Sequence, residues 1–285
     1  MTQPASVGII MRSKDEQPYA ERALEALSRQ TVQDYALYAV DSGSTDGTLE
    51  VVKSHAPAKL VQIAPEAYVP GRVLNRMVEQ TREATVVLLN ADAIPLDPRW
   101  LETLVEPIRN GTADATMSHQ SARQDARFVV RYDYARAFDP ANIRGENADF
   151  FSAVASAFRR SLWDQHKFRT EGYAEDLDWA RRCRLDGARF LLVPESRVEH
   201  SHNYSLRGLY RKKFRHGQAY VHIFGPTASF PKQAVACARE LVRDTLYAVR
   251  RGRLDTIPYN TLYRTIIHWG LYRGMRRAVN SMRDD

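Results

Sequence analysis

Carboxylates, one amide and two histidines hold the positions where this sequence could do chemistry. Asn90 and Asp92 follow directly on the apolar run Val86-Val87-Leu88-Leu89, at what should be the carboxyl end of a buried strand. Ligands of open α/β sheets bind outside such strand ends, and an oxygen-rich pair there suits a hard divalent cation holding a diphosphate. Asn and Asp also start turns, and Pro95 comes soon after, so a plain turn is the competing reading. Glu175, Asp176 and Asp178 crowd the start of a helical stretch, where the macrodipole alone favours acids. Asp176 would project from the first turn toward the sheet's carboxyl edge. His200 and His202 stand one residue apart, and alternation along a strand would send them to opposite faces, away from a shared metal. Asp41 ends another apolar run before Ser42-Gly43-Ser44-Thr45-Asp46-Gly47, whose amides and hydroxyls could approach a nucleotide. Ser44 as a helix N-cap is the alternative there.

The elements that must position these groups alternate. Short apolar strands are expected at 7–11, 35–40, 59–63 and 85–89, with helices opened by Pro18, following Gly47, from Pro70 to Arg82, and after Pro98. That alternation predicts an α/β domain, a mostly parallel sheet flanked by helices. No glycine fingerprint of a dinucleotide fold and no Gly-Lys-Ser/Thr phosphate loop is present. Beyond Asn110, 114–117 reads as a strand, 118–138 as irregular, 142–149 as a loop around Gly145, and 150–158 as a strand. The small side chains of that last strand either leave room for an acceptor or pack tightly. Leu177, Ala180 and Leu185 mark one face of the acidic helix, with short strands next at 189–193 and 196–199. After Ser205 a helix is expected to end at His216-Gly217, with further helices near 232–250 and 258–282.

Composition narrows the class. In 285 residues, 44% hydrophobic and 26% charged side chains are ordinary for a soluble globular chain. No apolar run approaches the ~20 residues of a spanning helix. The opening residues show no secretion signal, and Cys183 and Cys237 read as reduced thiols, so a cytoplasmic protein is expected. Charge is uneven. Residues 1–203 carry 25 Lys/Arg against 29 Asp/Glu, and residues 204–285 carry 16 against 5. The basic third predicts either an anionic partner or a solvated helical face. Basic residues interleaved with apolar ones at helical spacing also suit an anionic membrane surface, whereas no nucleic-acid-reading motif is present, so nucleic acid is an unlikely partner.

Five stretches in order, "VGIIMRSKDE", "YAVDSGSTDGT", "VPGRVLN", "VVLLNADAIPLDPRWLETLV" and "AEDLDWARRCRLDGARFLLVPESRVEHSH", resemble the N-terminal half of family 2 glycosyltransferases, with their GT-A fold. "GRVLN", "SHQSARQDA" and "VEHSHNYS" are similar to the bacterial rhamnosyltransferase-type subgroup. The resemblance covers about residues 6–203. It implies a catalytic domain at 1–203 and a basic, mainly helical region at 204–285. It further implies an inverting, metal-dependent transfer of a sugar, rhamnose by subgroup analogy, from a nucleotide-sugar donor. Asp176 becomes the catalytic base, with Glu175 and Asp178 orienting the acceptor. Arg12, Asp41, Ser44, Arg72, Asn90 and Asp92 become donor-binding residues. Asp92 and His200, with His202 in reserve, become ligands of Mn²⁺ or Mg²⁺. Asn90 departs from the family's Asp-x-Asp pattern, leaving Asp92 as the carboxylate of that motif.

The acceptor would be a saccharide, free or polyprenyl-linked, in cell-envelope polysaccharide biosynthesis, with the enzyme peripheral on the inner face of the plasma membrane. Two other readings stand beside this one. One is a sugar nucleotidyltransferase, the other a carbohydrate- or nucleic-acid-binding module on a degenerate scaffold.

Overall fold

The computed structural model describes residues 6–143 and 149–284. Residues 1–5, where a secretion signal would begin, and 144–148 of the expected loop lie outside the described residues. The chain forms two compact units. One comprises Met1–Gln124, Tyr134–Glu171 and Glu175–Ser201, the other Asp125–Asp133, Gly172–Ala174 and His202–Asp285.

The first unit is built on an eight-stranded sheet: β1 (Val7–Ser13), β2 (Tyr35–Asp41), β3 (Lys59–Gln62), β4 (Thr85–Asn90), β5 (Ile94–Pro95), β6 (Ala115–Ser121), β7 (Ala155–Arg159) and β8 (Phe190–Glu199). Its order is β3-β2-β1-β4-β7-β6-β8-β5. The first four strands in that order are parallel, as are β6 and β8, while β7 runs against both its neighbours. Helices α1 (Tyr19–Ser28), α2 (Thr48–Ser54), α3 (Pro70–Gln80), α4 (Trp100–Arg109), α6 (Arg160–Gln165) and α7 (Glu175–Leu185) belong to this unit; α5 (Phe128–Ala137) begins in the other.

Alternation explains the layering. Ile9, Met11, Val87 and Leu89 pack on one side with residues of α1 and α4, and Ile10, Val86 and Leu88 on the other with residues of α3 and α7. Both faces of β1 and β4 are therefore covered, as the unbroken apolar runs predict. Strand order reverses at β1, with β2 on one side and β4 on the other. Register sets Arg12 beside Asn90 at the two carboxyl ends, where such sheets bind ligands.

Several boundaries differ from those expected. The stretch 118–138 is ordered: β6 continues to Ser121 and α5 occupies Phe128–Ala137. Of 150–158 only the last part is strand. The two short strands before His200 are one, β8, with an irregularity opposite Ser118/His119. In α7 the buried positions are Asp178, Trp179, Ala180 and Cys183, while Leu185 is exposed. Cys183 and Cys237 are both free thiols.

The second unit carries α8 (Leu206–Phe224), α9 (Phe230–Arg250) and α10 (Ile257–Asp284). Glycine does not end α8 at 217. A Cβ on Gly217 would fall on the Leu271 carbonyl, and one on Gly274 on the Phe214 carbonyl, so these glycines let α8 and α10 meet backbone to backbone. No helix among the described residues is long and apolar enough to cross a membrane. The close approach gives a test with a definite sign. Within a helix, Gly→Ala gains about 1 kcal/mol of propensity, whereas overpacking costs about 1–3 kcal/mol. Gly274→Ala should therefore lower the melting temperature followed by circular dichroism. A rise would mean the helices are free to separate.

Candidate active site

At the carboxyl ends of β1 and β4, Arg12 and Asn90 form the first polar contact. Arg12 donates from Nε and Nη2 to Asn90 Oδ1 at 3.1 and 2.9 Å, and from Nη2 to the Ala153 carbonyl at 3.2 Å. Its Nη1 faces Tyr68 Oη at 3.4 Å and Glu175 Oε1 at 3.6 Å. Burial works against the guanidinium charge, but Tyr68, Glu175 and Asp176 outweigh it and hold Arg12 above its ordinary pKa. The amide at position 90 thus serves as an acceptor for Arg12.

Beyond that contact lie the carboxylates of α7. Asp176 accepts from the Ala153 amide at 3.3 Å and from the Leu177 amide at 2.9 Å. Ala153 therefore touches both Arg12, through its carbonyl, and Asp176, through its N–H. Burial raises the pKa of Asp176, and burial plus the Asp176 charge raises that of Glu175; Arg12 opposes both shifts. The chain enters α7 through Ala174 at φ 61, a left-handed conformation that costs an alanine energy and clusters at functional sites. Asp178 is placed differently. Its two oxygens are taken by Arg169 at 3.1 Å and Arg182 at 2.9 Å, so this carboxylate is a buried ion pair that anchors α7.

A pocket of about 260 Å³ opens beside Arg12 and Asn90, with Ser13, Lys14, Glu16, Ser42, Pro65 and Tyr68 completing its wall. Asp41 is not on that wall. Its carboxylate accepts from Ser13 Oγ, Ser44 Oγ and the amides of Gly43 and Ser44, at 2.6–3.0 Å, which accounts for its acceptor capacity. Ser44 also accepts from the Asp15 amide, and the N-cap of α2 is Gly47 at φ 94, not Ser44. Asp46 closes that loop, accepting from Thr48 and from the Gln17 amide. Asp41, Ser44 and Asp46 thus tie the β1–α1 and β2–α2 turns together and shape the pocket from behind. Arg72 is exposed on α3 and stands apart from the wall.

Asp92 is buried just past the end of β4. His200 Nε2 lies 3.3 Å and Arg123 Nη2 3.2 Å from its Oδ2. Gln120 fixes the imidazole. Its amide nitrogen donates to Ser152 Oγ at 2.8 Å, leaving Oε1 to face His200 Nδ1 at 3.0 Å, with Tyr134 Oη at 3.1 Å. A proton on Nδ1 leaves the Nε2 lone pair directed at Asp92, the arrangement that orients metal-binding histidines. Because β8 ends at Glu199, strand alternation does not govern residues 200–202, contrary to the opposite-face expectation for the two histidines. His202, the reserve ligand, falls in the second unit. A carboxylate and an imidazole so placed fit a divalent cation.

Four contributors escape sequence reading. Arg123 lies against Asp92 and over the Tyr19 ring, 3.6 Å from its centroid. Burial, then the Asp92 charge, pushes the Glu16 carboxyl up to about 8. Tyr68 and Gln120 act through contacts made far along the chain. The only signal for Arg123 is its place in "SHQSARQDA".

Comparisons with known proteins agree with this architecture. The O-antigen chain rhamnosyltransferase RfbN of Salmonella typhimurium is 27% identical over 206 residues, 68% of this chain and 66% of that protein. WbaN of Salmonella anatum, also an O-antigen chain rhamnosyltransferase, is 27% identical over 210 residues, 67% of this chain and 64% of its own length. The chain thus spans about two thirds of the length of these relatives. Among solved structures, the mannosyltransferase PcManGT of Pyrobaculum calidifontis, in complex with GDP-Man and Mn²⁺, superposes with a TM-score of 0.64 at 20% identity. That likeness covers 98% of this chain and 88% of the other, and shows a shared GT-A fold. The family model described as glycosyltransferase like family 2 matches residues 4–219, well over half of the sequence. The chain belongs to glycosyltransferase family 2.

Proposed function

We propose that this glycosyltransferase moves a sugar, rhamnose by analogy with its relatives, from a nucleotide-sugar donor to a saccharide acceptor with inversion at the anomeric carbon. The observation that carries this reading is Asp176: a half-buried carboxylate with a raised pKa, set at the carboxyl edge of the sheet and joined through Ala153 and Arg12 to the end of β4. Asp176 would take the acceptor hydroxyl's proton as that oxygen bonds to the anomeric carbon and the nucleoside diphosphate leaves. Glu175 would orient the acceptor. The donor would occupy the pocket walled by Lys14, Ser42 and Tyr68, with the Tyr68 ring against the base. Asp92 and His200 would hold Mn²⁺, which would supply Lewis-acid and electrostatic stabilisation of the leaving diphosphate. A polyprenyl-linked acceptor would place the reaction at the inner face of the plasma membrane.

Nucleotide release from a panel of nucleotide sugars tests the reading as a whole, and three predictions sharpen it. Asp176→Asn keeps shape but cannot accept a proton, so turnover should fall ~10²–10⁴-fold with donor affinity retained. Near-normal transfer would move the base elsewhere, to Glu175 first. In EDTA, activity should vanish and return with Mn²⁺, and Asp92→Ala or His200→Ala should raise the Mn²⁺ concentration required. Full activity in chelator would instead make Arg123 the resident cation beside Asp92.

The third prediction concerns pH. A base works deprotonated, so activity should rise with pH through an acid limb set above the usual carboxylate range. Arg12 lowers that limb by favouring the charged forms. Arg12→Met should therefore shift the limb upward by ~1 pH unit, besides any change in rate. An unshifted limb would uncouple Arg12 from the base.

A further inference from the structure

α9 turns its acids inward and its aliphatic side chains outward. Glu240 and Asp244 are its only carboxylates, and both meet Arg264 of α10, at 3.3 and 2.6 Å. Arg264 also binds Asp133 at 3.0 Å, and Glu240 meets His268 at 3.3 Å. This buried network holds the inner face of α9 against α10 and fixes which side points out.

On that outer side, Val235, Val242, Leu246 and Val249 are each more than half exposed. At 100° per residue they fall within roughly 60° of one another around the helix. Arg239 and Arg250 flank the same stripe and are exposed, with Lys232 one turn beyond its start. A second copy of the chain would set these cationic flanks against each other. Anionic lipid complements both parts of the face: aliphatic groups enter the acyl boundary while the guanidinium groups meet phosphates.

Three of the basic residues of α8 are less available. Lys212 donates to Tyr204 Oη at 2.9 Å and Arg215 to Tyr173 Oη at 2.8 Å, while burial pushes Lys213 down to about 8. We propose that the outer face of α9 lies on an anionic lipid bilayer. The proposal rests on the function proposed above only for the choice of a membrane as the place of reaction.

Flotation of the full chain with phosphatidylcholine–phosphatidylglycerol vesicles, and with phosphatidylcholine alone, tests it. At low salt the protein should float with the mixed vesicles and not with the neutral ones. Val242→Glu combined with Leu246→Glu should weaken binding at least ~10-fold, and Arg239→Ala or Arg250→Ala ~5-fold each, at about 1 kcal/mol per charge. Unchanged thermal melts would show that the variants fold. Absence of flotation at low salt, or equal flotation of the double variant, overturns the proposal. So does a dimer by light scattering that the double variant converts to monomer, which would give the stripe to a second copy. Nucleotide release from soluble donor, read on the same preparations, separates the two ideas: an unaltered chain that does not float but releases nucleotide removes the surface and leaves the reaction.

Discussion

A buried guanidinium needs partners on every side, and in this protein Arg12 supplies that constraint at the carboxyl edge of the sheet. Removing such a group from water costs several kcal/mol unless its donors are satisfied. Asn90, Ala153, Tyr68 and Glu175 satisfy them, and they come from β4, the approach to β7, the segment after β3, and α7. Four parts of the chain are thereby held to one point at the switch of strand order. A neutral amide at position 90 suits this arrangement. It accepts two bonds from Arg12 without neutralising it, so the positive charge remains available to the carboxylates of α7.

Two charged clusters therefore stand near the carboxyl edge of the sheet. Arg12 faces Glu175, while Asp92 stands with His200 and Arg123. Under the function proposed above, one end of the site would govern the acceptor's proton and the other the charge of the leaving group. Glu16 on the pocket wall has its pKa raised by burial and then by the Asp92 charge.

Much of the fold is legible in the sequence because it rests on local patterns. Unbroken aliphatic runs mark β1 and β4, prolines mark the starts of α1 and α3, and the acidic start of α7 is visible as a first turn. α5 escapes because aromatic, charged and aliphatic residues alternate through 128–137 without a clear stripe, so its burial depends on neighbours distant in sequence. Gly217 misleads for a related reason. Glycine usually ends helices, but here the backbone of α10 requires the missing side chain. The site divides the same way. Asp92, Asp176 and His200 stand out by position, whereas Arg12 meets Asn90 across 78 residues and Arg123 meets Asp92 across 31. Nothing nearby in the sequence reveals either pairing. Asp41 is visible, but its saturation by the turn it organises is not.

The connection between Arg12 and Asp176 passes through the main chain of Ala153, carbonyl to one and amide to the other. A peptide group offers the same carbonyl and N–H whatever residue other than proline carries it. Related proteins could replace Ala153 by any side chain small enough for that buried position and keep the connection intact. A single-residue insertion or deletion between Asp149 and β7 would break it while leaving every named side chain in place. The coupling between the two halves of the site is thus preserved by spacing, and drift in length along this short segment would change the chemistry before drift in composition did.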